Sequence, residues 1–303
     1  MDDLGARASS LAVNLTLAEG GRDARAPRLE LIFRSVGKAM AKSLITLTTD
    51  FGEADYYVAA MKGVILSINP AAEIVDLTHQ IAAHDIYAAA FTLQCCYADF
   101  PKDTIHLVVV DPGVGSNRRP ILVMTDNYRF VGPDNGVFSY IYQCEPVNRI
   151  VHLTTEHYFR LPVSNTFHGR DIFAPIAAYV SKLVEWRMMG EEIDDPVHFN
   201  IPVPAILPDG HIRGHVIHID RFGNVITNIT KTQLTDEVLQ GGVKVRLGKL
   251  EAARVLTHFG EAGPNEFFAY FGSAGFLELA VPRQSAARMS EARRGAEVEV
   301  VVD

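Results

Sequence analysis

Three cysteines in 303 residues, Cys95 and Cys96 adjacent and Cys144 apart, offer no CxxC spacing. That scarcity argues against a disulfide framework or a zinc knuckle and fits reduced thiols in the cytoplasm. Basic charge is also short, with 28 Lys and Arg against 36 Asp and Glu and a net charge of -8. General nucleic-acid binding and attraction to anionic lipid both need a cationic face, so neither is expected. No apolar run approaches the roughly 18 to 20 residues of a membrane span, and the start "MDDLGARASS" lacks a basic region followed by an apolar core. The expectation is a cytoplasmic protein with a small-molecule partner.

What is present is ordinary globular composition, 48% hydrophobic and 21% charged, with room for two core-bearing domains. Residues 1–39 differ from the rest: "LAEGGRDARAPRLE" has weak periodicity, and Met40 with "AKSLITLTTDFG" is a more natural start. They are expected to be an appended or disordered extension. From residue 44, short β-rich runs alternate with helical spacing. "LITLTTD" reads as a strand, followed by Val58, Met61, Ile65 and Ile68 at helical intervals up to Asn69-Pro70. "EIVDLTH" is the next strand, and Asp85 can cap a helix carrying Ile86, Ala90, Leu93, Tyr97 and Phe100. "TIHLVVVD" is continuous in apolar residues, as a strand buried on both faces requires. This βαβαβ order predicts a mostly parallel sheet flanked by helices.

After Asp111 the rhythm changes. "RRPILVMTDNYRFVG" reads as two strands joined at Asp126-Asn127, "PDNGVFSYIYQ" as a turn into a short helix, and "GRDIFAPIAAYVSKLVEW" as a helix with Pro175 in its first turns. An α/β domain over 40–190 is expected, then a proline-rich linker over 191–208. Residues 209–303 are almost wholly β in pattern and predict a smaller barrel-like domain.

Ligands of open α/β sheets bind beyond the carboxyl ends of the strands. Asp50, Asp76 and Asp111 stand there, and although a lone Asp usually caps a turn, three at neighbouring strand ends favour a shared crevice. Gly113 and Gly115 superficially suggest a phosphate loop, but a β run follows them where a helix N-terminus is needed. "NTFHGRDIF" puts His168, Arg170 and Asp171 before a helix; His168 is either an ordinary loop residue or a group that exchanges a proton near neutral pH. No close histidine spacing suggests a metal site. "HIDRFGNVITN" reads as a β-turn around Asp220 and Asn224, and alternation with Leu277 and Leu279 turns Glu278 toward solvent.

Taken in order, "TTDFG", "DLTHQI", "FPKDTIHLVVVDPGVGSNRRPI", "FVGPDNGVFS", "TFHGRDIFAP", "DRFGNVITN" and "GSAGFLELA" resemble the S-adenosyl-L-methionine hydroxide adenosyltransferases, relatives of the fluorinating and chlorinating adenosyltransferases. The resemblance runs from about residue 44 to 303. It implies an α/β N-terminal domain, a β-barrel-like C-terminal domain, and a homotrimer with active sites between one subunit's N-terminal domain and its neighbour's C-terminal domain. Its reaction is attack of water or hydroxide on the ribose C5′ of S-adenosylmethionine, giving adenosine and L-methionine without metal or organic cofactor. Asp111, Arg118 and His168 match the catalytic set. Asp50 would hold the ribose hydroxyls, His84 stands where the halogenating relatives place an aromatic wall, and Thr166 and Phe167 would line the C5′ region. Asn224 would read the adenine edge, Asp220 and Ser273 would meet the methionine end, and Glu278 and Val281 complete the substrate-binding set. The sequence departs from the halogenating enzymes at His168-Gly169, where they carry Tyr-Ser, and at Ala274, where they carry an arginine. A halide-using enzyme and a non-catalytic S-adenosylmethionine sensor are the competing readings.

Overall fold

A computed structural model describes residues 43–302; the extension expected over residues 1–39 lies outside them. Seven strands form the first sheet: β1 (Leu44–Thr49), β2 (Glu73–Thr78), β3 (Ile105–Val109), β4 (Pro120–Thr125), β5 (Arg129–Pro133), β6 (Val147–Leu153) and β7 (Gly190–Ile193). Their order is β2-β1-β3-β5-β4-β6-β7. The pairs β1·β2, β1·β3 and β3·β5 are parallel, and antiparallel pairing begins at the β4–β5 hairpin.

Every residue of β3 is buried, because successive side chains enter different cores. Leu107 and Val109 meet Met61 and Ile65 of α1 (Tyr57–Ile68) on one face. Val108 and Val110 meet Ala88 and Leu93 of α2 (Ile86–Cys96) and Ile141 of α3 (Ser139–Cys144) on the other. Each fully buried Leu or Ile of these layers contributes roughly 1.5–3 kcal/mol. Asp85 caps α2, its carboxylate accepting from Ala88 N at 2.9 Å.

The long helix expected after His168 is divided. Gly169–Phe173 form a π-helical turn, and α4 (Ala174–Ser181) stops well before Trp186. The proline-rich stretch is tied down on the first sheet: β7 pairs with β6, Val197 N donates to Asp134 Oδ1 at 2.8 Å, and Phe199 N to Ser139 Oγ at 3.0 Å.

The second sheet contains β8 (Ala205–Ile206), β9 (Ile212–Ile219), β10 (Val225–Thr230), β11 (Val243–Leu247), β12 (Leu250–Ala252), β13 (Val255–Leu256), β14 (Phe268–Phe271), β15 (Phe276–Ala280) and β16 (Glu297–Val302). Its order, β12-β11-β16-β9-β10-β15-β14-β13, curls into a nearly closed barrel around Val216, Val225, Leu277, Leu279 and Val298. Helices α5 (Asp236–Gln240) and α6 (Ala286–Ser290) are single short turns at its edge. The sheets meet across α2: Phe91 stacks on His218 at 4.8 Å and packs on Phe276 at 5.8 Å, while Arg294 donates to both Asp85 carboxylate oxygens at 2.8 and 2.9 Å.

Candidate active site

Parallel pairing of β1 with β3 sets Thr49 beside Val109, so Asp50, one residue on, and Asp111, two residues on, emerge at the same edge of the sheet. After Asp111 the chain turns without forming a helix, as expected from the β run that follows. Gly115 makes the turn possible: its φ is +77°, and a Cβ there would lie 2.3 Å from the carbonyl oxygen of Asn165. Gly113, two residues earlier, is not among the glycines with positive φ. This close approach seats the Asp111–Arg118 turn against the loop that carries His168.

Arg118 joins the three expected catalytic residues. Its Nε donates to Asp111 Oδ1 at 3.0 Å, one Nη2 hydrogen reaches Asp111 Oδ2, and Nη2 lies 3.0 Å from His168 Nδ1. A guanidinium only donates, so His168 Nδ1 accepts and the ring proton sits on Nε2. Arg118 and Asp111 are 7% and 5% exposed, and Phe173 lies beneath the guanidinium at 5.1 Å. Buried charge of this kind is tolerated because the pairing is bidentate. Burial first, then the Arg118 cation, push the His168 pKa below its ordinary value. Arg118 Nη1 is buried without a partner among the described residues, a donor left over for an oxygen atom of a ligand.

Residues not anticipated as part of the site hold it in shape. Asn135 Nδ2 donates to Val110 O at 2.9 Å, and Asp134 binds Arg119 Nε at 2.8 Å, fixing the chain on both sides of Asp111 and Arg118. The "PDN" stretch has a turn signature that conceals this work. Asp171, fully buried, accepts from Arg170, Arg160 and the Ser164 amide and so organises the loop on which Thr166, Phe167 and His168 stand. Thr166 is exposed, and Phe167 is buried against Phe51 and Tyr57 in T-shaped contacts at 6.0 and 5.2 Å. Asp50 Oδ2 accepts from the backbone N–H of His84, which adopts φ 67°.

The remaining expected residues occupy the second sheet. Asp220, Asn224, Ser273, Glu278 and Val281 line one cleft of about 1290 Å³, together with Tyr270 and Arg283. Asp220 accepts from Asn224 N and Nδ2, both at 2.8 Å, which orients the amide. Glu278 is buried, contrary to the solvent-facing position that strand alternation suggested. It stands directly opposite Tyr270 on β14 and accepts that hydroxyl, and Gly272 leaves the room its carboxylate needs. Burial raises the Glu278 pKa, the Tyr270 hydrogen bond opposing and the Asp220 charge reinforcing the shift. No residue of the Asp111–Arg118–His168 group lines this cleft. Within one chain the cluster and the cleft are lined by different residues.

The family model described as SAM hydroxide adenosyltransferase N-terminal domain matches residues 45–190, and that of the C-terminal domain matches residues 214–299. The chain belongs to the SAM hydroxide adenosyltransferase family. A family member named (R)-S-adenosyl-L-methionine hydrolase, from Methanocaldococcus jannaschii, is 36% identical over 85% of this chain and 95% of its own length. A fluorinase from Nocardia brasiliensis is more distant, 24% identical over 86% of this chain and 97% of its own. The crystal structure of a conserved Thermotoga maritima protein superposes with a TM-score of 0.78 at 35% identity, covering 84% of this chain and 99% of that one.

Proposed function

We propose that this family member hydrolyses S-adenosyl-L-methionine to adenosine and L-methionine by attack of water at the ribose C5′. The observation that carries the reading is Arg118, clamped between Asp111 and His168 in a largely buried cluster with one donor unspent. The sulfonium of the substrate is a good leaving group and needs no acid, so the protein's work is to desolvate and aim an oxygen nucleophile. The C5′–O bond forms as the C5′–S bond breaks, and the electron pair leaves on sulfur as the neutral thioether of methionine. His168 Nδ1 is committed to Arg118, so its Nε2–H orients the attacking oxygen, and the Asp111 carboxylate takes the water's proton. Arg118 stabilises negative charge as it develops on that oxygen. Asp50 holds the ribose hydroxyls, with Thr166, Phe167 and His84 around them; Asn224 reads the adenine edge, and Asp220, Ser273, Glu278 and Val281 contact the rest of the substrate. No metal or organic cofactor takes part, since leaving group and nucleophile are both supplied without one.

The family resemblance implies a homotrimer in which one subunit's Asp111–Arg118–His168 group faces its neighbour's C-terminal cleft, and the separation of cluster and cleft within one chain supports a site shared between subunits. Free thiols at Cys95, Cys96 and Cys144 suit action in the cytoplasm.

Turnover of S-adenosylmethionine in oxygen-18 water tests the chemistry. Label in adenosine is the expected result; absence of adenosine overturns the proposal, and a 5′-halo product formed with fluoride or chloride present replaces hydrolysis by halogenation. Arg118→Ala is expected to lower turnover roughly 100-fold or more, and activity within a few-fold of wild type removes the trio. Added chelator is expected to leave the rate unchanged.

A further inference from the structure

Asp76, expected from the sequence beyond the end of β2, lies within that strand opposite Leu47, and the proposed reaction does not use it. In the fold it begins a polar chain that ends beneath Asp50. Lys62 Nζ donates to Asp76 Oδ2 at 2.6 Å, and Asp76 Oδ1 lies 3.1 Å from His79 Nε2. His79 is 5% exposed, and its Nδ1 is 2.9 Å from the hydroxyl of the fully buried Thr49. The same hydroxyl oxygen accepts from Phe51 N at 3.2 Å, and the His79 carbonyl accepts from Gly52 N at 2.8 Å. His79 therefore holds the turn on both sides of Asp50, once through its ring and once through its backbone. Five residues further on, the His84 amide grips the Asp50 carboxylate itself at 2.8 Å.

The proton inventory makes the chain directional. A carboxylate only accepts, so the ring nitrogen facing it, His79 Nε2 at 3.1 Å from Asp76 Oδ1, carries the proton. Nδ1 is then the acceptor for the Thr49 hydroxyl hydrogen, while the same hydroxyl oxygen still accepts from Phe51 N. The Nε2–H lies off the ideal line to Asp76, so their attraction is chiefly electrostatic and serves to keep the proton on Nε2.

We propose that His79 is a positioning residue for substrate binding, with Asp76 fixing its tautomer, and that together they set the turn from which Asp50 reaches the ribose hydroxyls. The proposal rests on the reading of Asp50 given above. A ribose clamp must present both carboxylate oxygens at a fixed angle, and a turn held only by its backbone would let that angle wander.

Calorimetric titration with adenosine and steady-state kinetics on S-adenosylmethionine, using Asp50→Ala, His79→Ala, His79→Asn and Asp76→Ala, test it. His79→Ala is expected to weaken adenosine binding and raise KM about tenfold while kcat stays within about threefold. His79→Asn is expected to recover most of the loss, since its Oδ1 takes the place of Nδ1 as acceptor for Thr49. Asp76→Ala, at a half-exposed position, is expected to weaken binding about threefold. If Asp50→Ala weakens adenosine but His79→Asn and Asp76→Ala match wild type while His79→Ala changes only thermal stability, the positioning role falls and the ribose reading stands. If Asp50→Ala binds adenosine as wild type does, both fall. Should His79→Ala fail to fold, Asp76→Ala decides, and unchanged KM and adenosine affinity in it overturn the proposal.

Discussion

Two histidines with depressed pKa values have different consequences. His168 accepts from Arg118 only when neutral, and burial followed by the Arg118 charge holds its pKa below 6.5. Activity that depends on this neutral form is present above the folded pKa and lost as pH falls through it. The acid limb of kcat/KM is therefore expected below pH 6.5, and a midpoint at or above that value would count against a neutral His168. His106 is a core residue on β3, stacked on Phe130 and bound to Thr46, and burial pushes it down to about 3. Between about pH 6.5 and 3 the unfolded chain takes a proton there that the folded chain refuses, so stability falls as pH falls. Replacing it by leucine leaves the Thr46 hydroxyl unpaired at every pH but removes this slope. Urea unfolding at pH 7 and pH 4 is expected to show His106→Leu losing on the order of 3 kcal/mol less than wild type between them.

Elements with strong periodicity were legible before folding: β1, β2, β3, α1, α2 with its Asp85 cap, and the β4–β5 hairpin all follow local alternation or helical spacing. The π-helical turn at Gly169–Phe173 was not, because its geometry comes from the buried Asp171 network rather than from residue spacing. Glu278 shows a related limit. Alternation correctly turned it away from Leu277 and Leu279 in the barrel core, but the opposite face is covered by Tyr270 and the cleft rather than by water. Gly115 is the clearest case in which one backbone position carries a whole element. Gly115→Ala introduces a Cβ into the Asn165 carbonyl at a positive φ, so the Arg118 and His168 loops must part. Its kcat is expected to fall at least about tenfold while thermal unfolding shifts by only a few degrees; wild-type kcat would show that the loop contact does not set the Arg118–His168 distance.

At the scale of the whole molecule, the proposal that each active site is shared between subunits predicts a complementation experiment. Arg118→Ala damages the half-site on the first sheet, and Asn224→Ala damages the cleft on the second. If the proposed trimer draws the two halves of each active site from different subunits, randomly mixed oligomers carry an intact first half in one half of cases and an intact second half in one half. About a quarter of wild-type activity is then recovered on mixing. If both halves come from one chain, every chain is broken and mixing recovers nothing.

The sequence by itself determined the order of strands and helices, the mostly parallel first sheet, the all-β second one, and the strand ends beyond which Asp50 and Asp111 stand, because these follow from local periodicity and the packing of apolar faces; Asp76 instead lies within β2, opposite Leu47. Motif order across the chain also pointed to the family. Tertiary structure decided that Arg118 stands between Asp111 and His168, that Asp134, Asn135 and Asp171 brace them, that the His79 ring and carbonyl hold the turn around Asp50, and that the cleft lies apart from the Asp111–Arg118–His168 cluster. Those are contacts between loops distant along the chain, set by close approach at Gly115 and by the pairing of buried charges, and no local pattern of residues records them.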